Sequence, residues 1–183
     1  MSPSRVILVV LLAVAPLHAQ ARSLATPEAA ATAFTTALRT QQYADAAAIM
    51  HPAALARFRE IFLPLASHEN GADLRQQMFG ASTVEELNAL DDAALFERFL
   101  RSLMTLSPEF QSIMGAAETE MLGHVTEPPD LAHVVYRMRL TVEGMAITKL
   151  DVMSLRRAGS EWRALLKGDI EGMAAAIRRQ IES

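Results

Sequence analysis

The sequence predicts an α+β protein in which a block of helices precedes an antiparallel four-stranded meander and a closing helix. Two observations carry this. Up to about Gly115 the apolar residues recur at the 3.6-residue spacing of a helix face, and beyond it they alternate with a period of two. A run of helices followed by a run of strands is the α+β pattern. No glycine-rich phosphate loop joins a strand to a helix, which argues against a parallel nucleotide-binding sheet.

The chain opens with "MSPSRVILVVLLAVAPLHAQA". Arg5 supplies a positive start, Val6 to Ala15 is an apolar run of ten, and Ala19-Gln20-Ala21 is a small-residue cleavage signal. Residues 1–21 therefore read as a signal peptide. A membrane span needs about 20 apolar residues, so no stable span is expected after cleavage. The expected location is exported, periplasmic or secreted. Residues 22–183 read as one domain. Loss of Arg5 takes the formal net charge from -4 to -5. That balance offers no basic face for nucleic acid, which binds through neutralised phosphates. Cysteine is absent, so disulfides and thiol catalysis are excluded.

In "ATPEAAATAFTTALRTQQ", Thr26 is the N-cap, Pro27 the first helical residue and Glu28 an acid in the first turn. Ala30, Ala33, Phe34, Ala37 and Leu38 form one apolar face. "YADAAAIM" gives a short second helix, ended by His51-Pro52 because the residue before proline is pushed out of the helical region. "PAALARFREIFLPL" is the third, with Leu55, Phe58, Ile61, Phe62 and Leu65 inward. Ala66 to Asp73 reads as a loop around Asn70-Gly71. Ser82 and Glu85 have capping-box spacing for a short helix through Leu90. Asp91 caps the next, whose stripe is Leu95, Phe96, Phe99, Leu100, Leu103 and Met104. Ser107-Pro108 opens another, ending near Gly115.

The strands follow. "AETEMLGHV" places Ala117, Thr119, Met121, Gly123 and Val125 on one side and Glu118, Glu120, Leu122 and His124 on the other. "AHVVYRMRLTVEG" is the clearest alternation. Ala132, Val134, Tyr136, Met138, Leu140 and Val142 make an apolar face, and His133, Arg137 and Arg139 share the opposite one. Glu143-Gly144 signals a tight hairpin. In "MAITKLDVMSLRR", Lys149 and Asp151 interrupt an otherwise apolar parity, which predicts a bulge or burial on both faces. "EWRALLKG" is the fourth strand, and "IEGMAAAIRRQIES" the closing helix.

The stretches "TPEAAATAFTTALRTQQYADAAAIMHPAALARFREIF" and "DLAHVVYRMRLTVEGMAITKLDVMSLRRAGSEWRALLKGD" resemble the nuclear transport factor 2-like superfamily. The resemblance covers the mature chain except a helical insertion at about 67–115. It implies a curved, cone-shaped (cystatin-like) sheet wrapped around a helix, with a pocket at the wide end. It also implies pairing of two copies through the outer sheet face. Isomerases, dehydratases, cyclases, small-ligand binders and dimerisation modules share that fold, so the fold does not settle function.

Enzymes of that family place an acid–base pair inside the cone, where burial tunes its pKa. No such pair maps onto this chain residue by residue; Tyr43, His51 and Asp151 are the candidates. His51 has a competing reading as a helix-ending residue before Pro52. His124 and His133, with Glu118 or Glu120, form no compact ligand spacing, so neither metal nor cofactor is expected. Arg137 and Arg139 either hold a carboxylate or pair with acids across the sheet. The apolar sheet face is the pocket face, so Tyr136, Met138, Phe99 and Phe34 are the expected ligand-lining residues. Phe96, Met104, Phe110 and Met114 either join them or are ordinary core. Two functions follow. One is non-catalytic: binding of a small hydrophobic ligand, or self-association as a homodimer. The other is an acid–base isomerase, dehydratase or cyclase acting on a hydrophobic small molecule.

Overall fold

The structure is a computed structural model that describes residues 24–105 and 107–181; the segment read as a signal peptide lies outside the described residues. Helices α1 (Pro27–Arg39), α2 (Tyr43–Ile49), α3 (Pro52–Ser67), α4 (Ala72–Phe79), α5 (Val84–Asn88), α6 (Asp92–Thr105) and α7 (Pro108–Gly115) come first. Strands β1 (Glu118–Glu127), β2 (Leu131–Val142), β3 (Met145–Ala158) and β4 (Glu161–Ala164) follow, then α8 (Gly168–Ile181). The strands form one open antiparallel sheet in the order β1-β2-β3-β4.

Side chains set several helix starts. Thr26 Oγ1 accepts the Ala29 N–H at 3.2 Å, Asp91 Oδ1 that of Ala94 at 2.7 Å, and Ser107 Oγ that of Phe110 at 3.2 Å. The box before α5 is shifted by one residue from the expected pair. Thr83 Oγ1 caps Glu86, and the Glu86 carboxylate reaches back to the Ser82 N–H at 2.7 Å. The expected loop at Ala66–Asp73 is mostly helical: α3 continues to Ser67, a 3-10 turn spans Glu69–Gly71, and α4 begins at Ala72. Compactness there depends on Gly71. A Cβ at that position would lie 2.3 Å from the Leu65 carbonyl oxygen. Arg75 then satisfies the Ala66 carbonyl at 2.8 Å.

The core sits between α3, α4 and α6, and continues to the sheet. Phe58 stacks on Phe62 at 4.6 Å and meets Phe96 and Phe99 edge-on at 5.1 and 5.0 Å; Phe79 adjoins Phe62 and Phe99. The segment expected to be an insertion thus supplies Phe79, Leu87, Leu95, Phe96 and Phe99 to the same core as Phe58 and Phe62. The sheet contributes Ala132, Val134, Tyr136, Met153, Leu155, Trp162 and Ala164. Met50 bridges to Ala164, and the His51 N–H donates to the Ala164 carbonyl at 2.8 Å, tying the α2–α3 junction to β4.

The irregularity in the sheet lies in β1, not in β3. β2 and β3 pair without interruption from Leu131–Arg156 to Val142–Met145. In β1 the register slips between Met121 and Gly123, where Gly123 adopts φ of 137°. One extra residue inverts every later side chain. His124 therefore turns to the helical layer and bonds Glu28 on α1, while Val125, which unbroken alternation puts on the side of Met121, is 64% exposed. Lys149 and Asp151 keep the inward parity without a bulge, because the β2–β3 hairpin runs beyond the core. Met145 and Ile147, of that same parity, are exposed. Glu143 and Gly144 both take positive φ, as a two-residue hairpin turn requires.

Candidate functional site

A cavity of about 260 Å³ lies between the inner sheet face and the helices. Phe34 and Leu38 enter it from α1, Phe96, Phe99, Leu100 and Leu103 from α6, and Met114 from α7. The sheet supplies Thr119, Tyr136, Met138, Asp151 and Met153, and Thr35, Arg39, Met50, Ala117 and the chain from Ala164 to Lys167 with Ile170 complete the wall. The small side chains at Ala30, Ala31 and Ala37, all fully buried, bring α1 close to its neighbours. Phe34 and Leu38 are thereby left to face the cavity.

Three of the polar groups, Tyr136, Asp151 and Lys167, gather around one cross-strand pair. Tyr136 on β2 and Asp151 on β3 are directly opposite partners of the same inward parity. Asp151 Oδ1 accepts the Val152 N–H at 2.8 Å. Its Oδ2 accepts from Lys167 Nζ at 2.5 Å, and Lys149 Nζ stands 3.5 Å away. Burial alone would raise the Asp151 pKa. The Lys167 hydrogen bond, the Val152 N–H and the charges of both lysines outweigh it and hold the carboxyl below its ordinary value. Tyr136 moves the other way. Burial pushes its phenol well above the ordinary value, and the charge of Asp151 and a hydrogen bond to it push further.

The structure thus brings together Tyr136, Met138, Phe99, Phe34 and Asp151, with Phe96 and Met114 beside them. Tyr43 and His51 do not line this cavity. Tyr43 is buried, with the Arg101 guanidinium 5.5 Å from its ring centre. His51 is the N-cap of α3, its Nδ1 accepting the Ala53 N–H at 3.1 Å. The two are thus no acid–base pair of this cavity. Met104 is core, and Phe110 is 41% exposed. The sequence reads Lys167 as part of the fourth strand, but β4 ends at Ala164, so strand alternation does not direct its side chain.

His124 and His133 are on opposite faces. His133 Nδ1 is 2.9 Å from Ser154 Oγ and its Nε2 is 3.2 Å from Glu127. Among the described residues no group of three His, Asp or Glu is placed to hold a metal. Arg137 and Arg139 both bond Glu120, at 2.8 and 2.9 Å, across the outer sheet face. That face also exposes Leu122, Val125, Leu150 and Val152. No described helix is long and apolar enough to cross a membrane.

Comparison with protein-family models, with curated proteins and with solved structures finds no match to this chain. The cavity and its polar row therefore carry the functional argument unaided.

Proposed function

We propose that this chain is an exported, non-catalytic binding domain of the nuclear transport factor 2-like type that holds a small apolar ligand in a cone-like pocket. The single observation that carries the reading is the cavity: mostly apolar walls with a few polar groups among them, the composition expected of a small-molecule site. At about 260 Å³ it sits just below the ~300–1,000 Å³ of drug-sized sites, so the ligand is small. The export reading rests on the sequence of residues 1–21.

The acid–base alternative draws support from Tyr136 and Asp151 meeting in that cavity, but their chemistry runs against it. A general acid or base works best with a pKa near the working pH. Here the carboxyl is held lower by its lysine and the phenol is pushed higher, so both move away from neutrality.

Calorimetric titration with 1-octanol tests the binding reading. Saturable binding is expected, and Met114→Trp, which fills the cavity from α7, abolishes it. Equal binding by that variant would place the ligand elsewhere and sink the proposal. Turnover of any small substrate that is lost in Tyr136→Phe would favour the enzyme instead.

Self-association is a second reading, favoured by the exposed Leu122, Val125, Leu150 and Val152 on the outer sheet face. Two copies pairing there would cover those residues around the Glu120–Arg137–Arg139 cluster. Sedimentation at several concentrations decides it: a mass that stays monomeric at the highest concentration rules the pairing out.

A further inference from the structure

We infer that the ligand is a monocarboxylate with a single alkyl chain of about eight carbons, its chain in the cavity and its carboxylate at the cationic rim. This rests on the binding reading above and names the ligand class for that site. Size comes first. At about 30 Å³ for each water-sized group, 260 Å³ accommodates about nine non-hydrogen atoms. The aromatic and aliphatic walls from α1 and α6 suit an unbranched chain.

Charge decides the head group. The charged residues lining the cavity are Arg39, Lys167 and Asp151, two cations against one anion. Asp151 is already compensated: it accepts from Lys167 and from the Val152 N–H, and Lys149 stands at 3.5 Å. Another cation would add to that excess. The Arg39 side chain, exposed in the last turn of α1, has no hydrogen bond or ion pair to any described residue. Glu118 lines the adjoining groove with it, yet the two form no ion pair. The Arg39 guanidinium is a planar fork that matches a carboxylate. The Lys167 ammonium has three donors, of which Asp151 takes one. Unspent donors therefore remain on both cations of the lining, and either can meet a carboxylate. An ammonium head would meet cations, and a hydroxyl head would leave the positive excess uncompensated.

The experiment is calorimetric titration of the purified chain with sodium octanoate, 1-octanol and octylammonium chloride at low salt. Octanoate is expected to bind about tenfold tighter than 1-octanol, and octylammonium weakest, since charge-assisted hydrogen bonds are about twice as strong as neutral ones. The octanoate advantage should shrink in 0.5 M sodium chloride because the rim is exposed and screened, at a Debye length of about 4 Å. Arg39→Gln and Lys167→Gln should each weaken octanoate about two- to fivefold and leave 1-octanol unchanged within error. The Arg39 side chain makes no hydrogen bond or ion pair with any described residue, so its variant keeps the test valid even where loss of Lys167 disturbs Asp151. If 1-octanol binds as tightly as octanoate, or Arg39→Gln leaves the preference intact, the carboxylate assignment is overturned while the apolar site stands. If neither octanoate nor 1-octanol binds, the binding reading itself fails, and this inference with it.

Discussion

Phe99→Ala is the substitution whose consequence the structure specifies most fully. Phe99 is fully buried and meets Phe58 at 5.0 Å, Phe62 at 5.2 Å, Phe79 at 6.4 Å and Phe96 at 6.5 Å. Phe-to-Ala changes in cores cost about 3–5 kcal/mol, depending on how far the site can collapse. Here collapse is poor. Phe58 and Phe62 are fixed to α3, Phe79 to α4 and Phe96 to α6 itself, so each ring would have to move with a helix. The expected loss is therefore at the upper end, about 4–5 kcal/mol. With a urea m-value of about 2 kcal/mol/M, the unfolding midpoint falls by about 2 M. Trp162 is the single tryptophan and is 5% exposed, so its fluorescence reports the transition. Phe110→Ala is the matched control: 41% exposed, and expected to change stability by less than about 0.5 kcal/mol. Because a loss of this size approaches the total stability of many domains, Phe99→Leu provides a milder step in the same direction. A midpoint shift below about 1 M for Phe99→Ala, or equal shifts for Phe99 and Phe110, would refute the ring cluster as the centre of the core.

Gly71→Ala should lower the urea midpoint, by about 1–3 kcal/mol in free energy, because its Cβ would meet the Leu65 carbonyl oxygen at 2.3 Å; an unchanged midpoint would show that the α3–α4 turn is not tight. Acid should destabilise the fold through Asp151 and Glu28, whose folded pKa values are both lowered. Lowered values mean that their contribution is present above the unfolded values of about 4 and is lost as pH falls through the folded ones. Urea midpoints measured from pH 7 to pH 2 should therefore drop below about pH 4.5, with a shallower fall in Asp151→Asn. His124→Ala removes the partner whose hydrogen bond lowers Glu28, so the Glu28 resonance should titrate at higher pH by carbon-detected NMR; an unshifted midpoint would show that the bulged orientation of His124 is wrong.

The helices were legible because three independent signals coincide in them. At Thr26, Asp91 and Ser107 the capping residue, the following helix former and the apolar stripe agree. The segment Ala66–Asp73 was misread because Asn70-Gly71 is a strong local turn signal, and the tertiary packing of Gly71 on α3 is invisible in the chain. β1 shows a sharper limit. Alternation gives side-chain direction only while the register is unbroken, and the single extra residue between Met121 and Gly123 sends His124 inward and Val125 outward. A glycine in mid-strand often marks a bulge, and Gly123 takes the φ of 137° there, which its missing Cβ permits.

The site itself was half legible, and the reason is general to a sheet that outruns its cover. Inward parity demands apolar side chains only where a helical layer excludes water. Along β2 and β3 the inward rows run from Ala132–Leu155 and Val134–Met153, both buried, to Tyr136–Asp151, and then to Met138–Lys149. Polarity on the inward parity thus begins at the row where the cover begins to end. The interruption by Lys149 and Asp151 was visible in the sequence, but as an error in the strand pattern. It is better understood as a boundary mark. Tyr136 suits that row because its ring belongs to the core and its hydroxyl to the polar edge. Asp151 remains charged there because Lys167, arriving from beyond β4, stands where the helices do not. That last residue could come only from the folded chain, since its partner lies 16 positions away with a hairpin turn and all of β4 between.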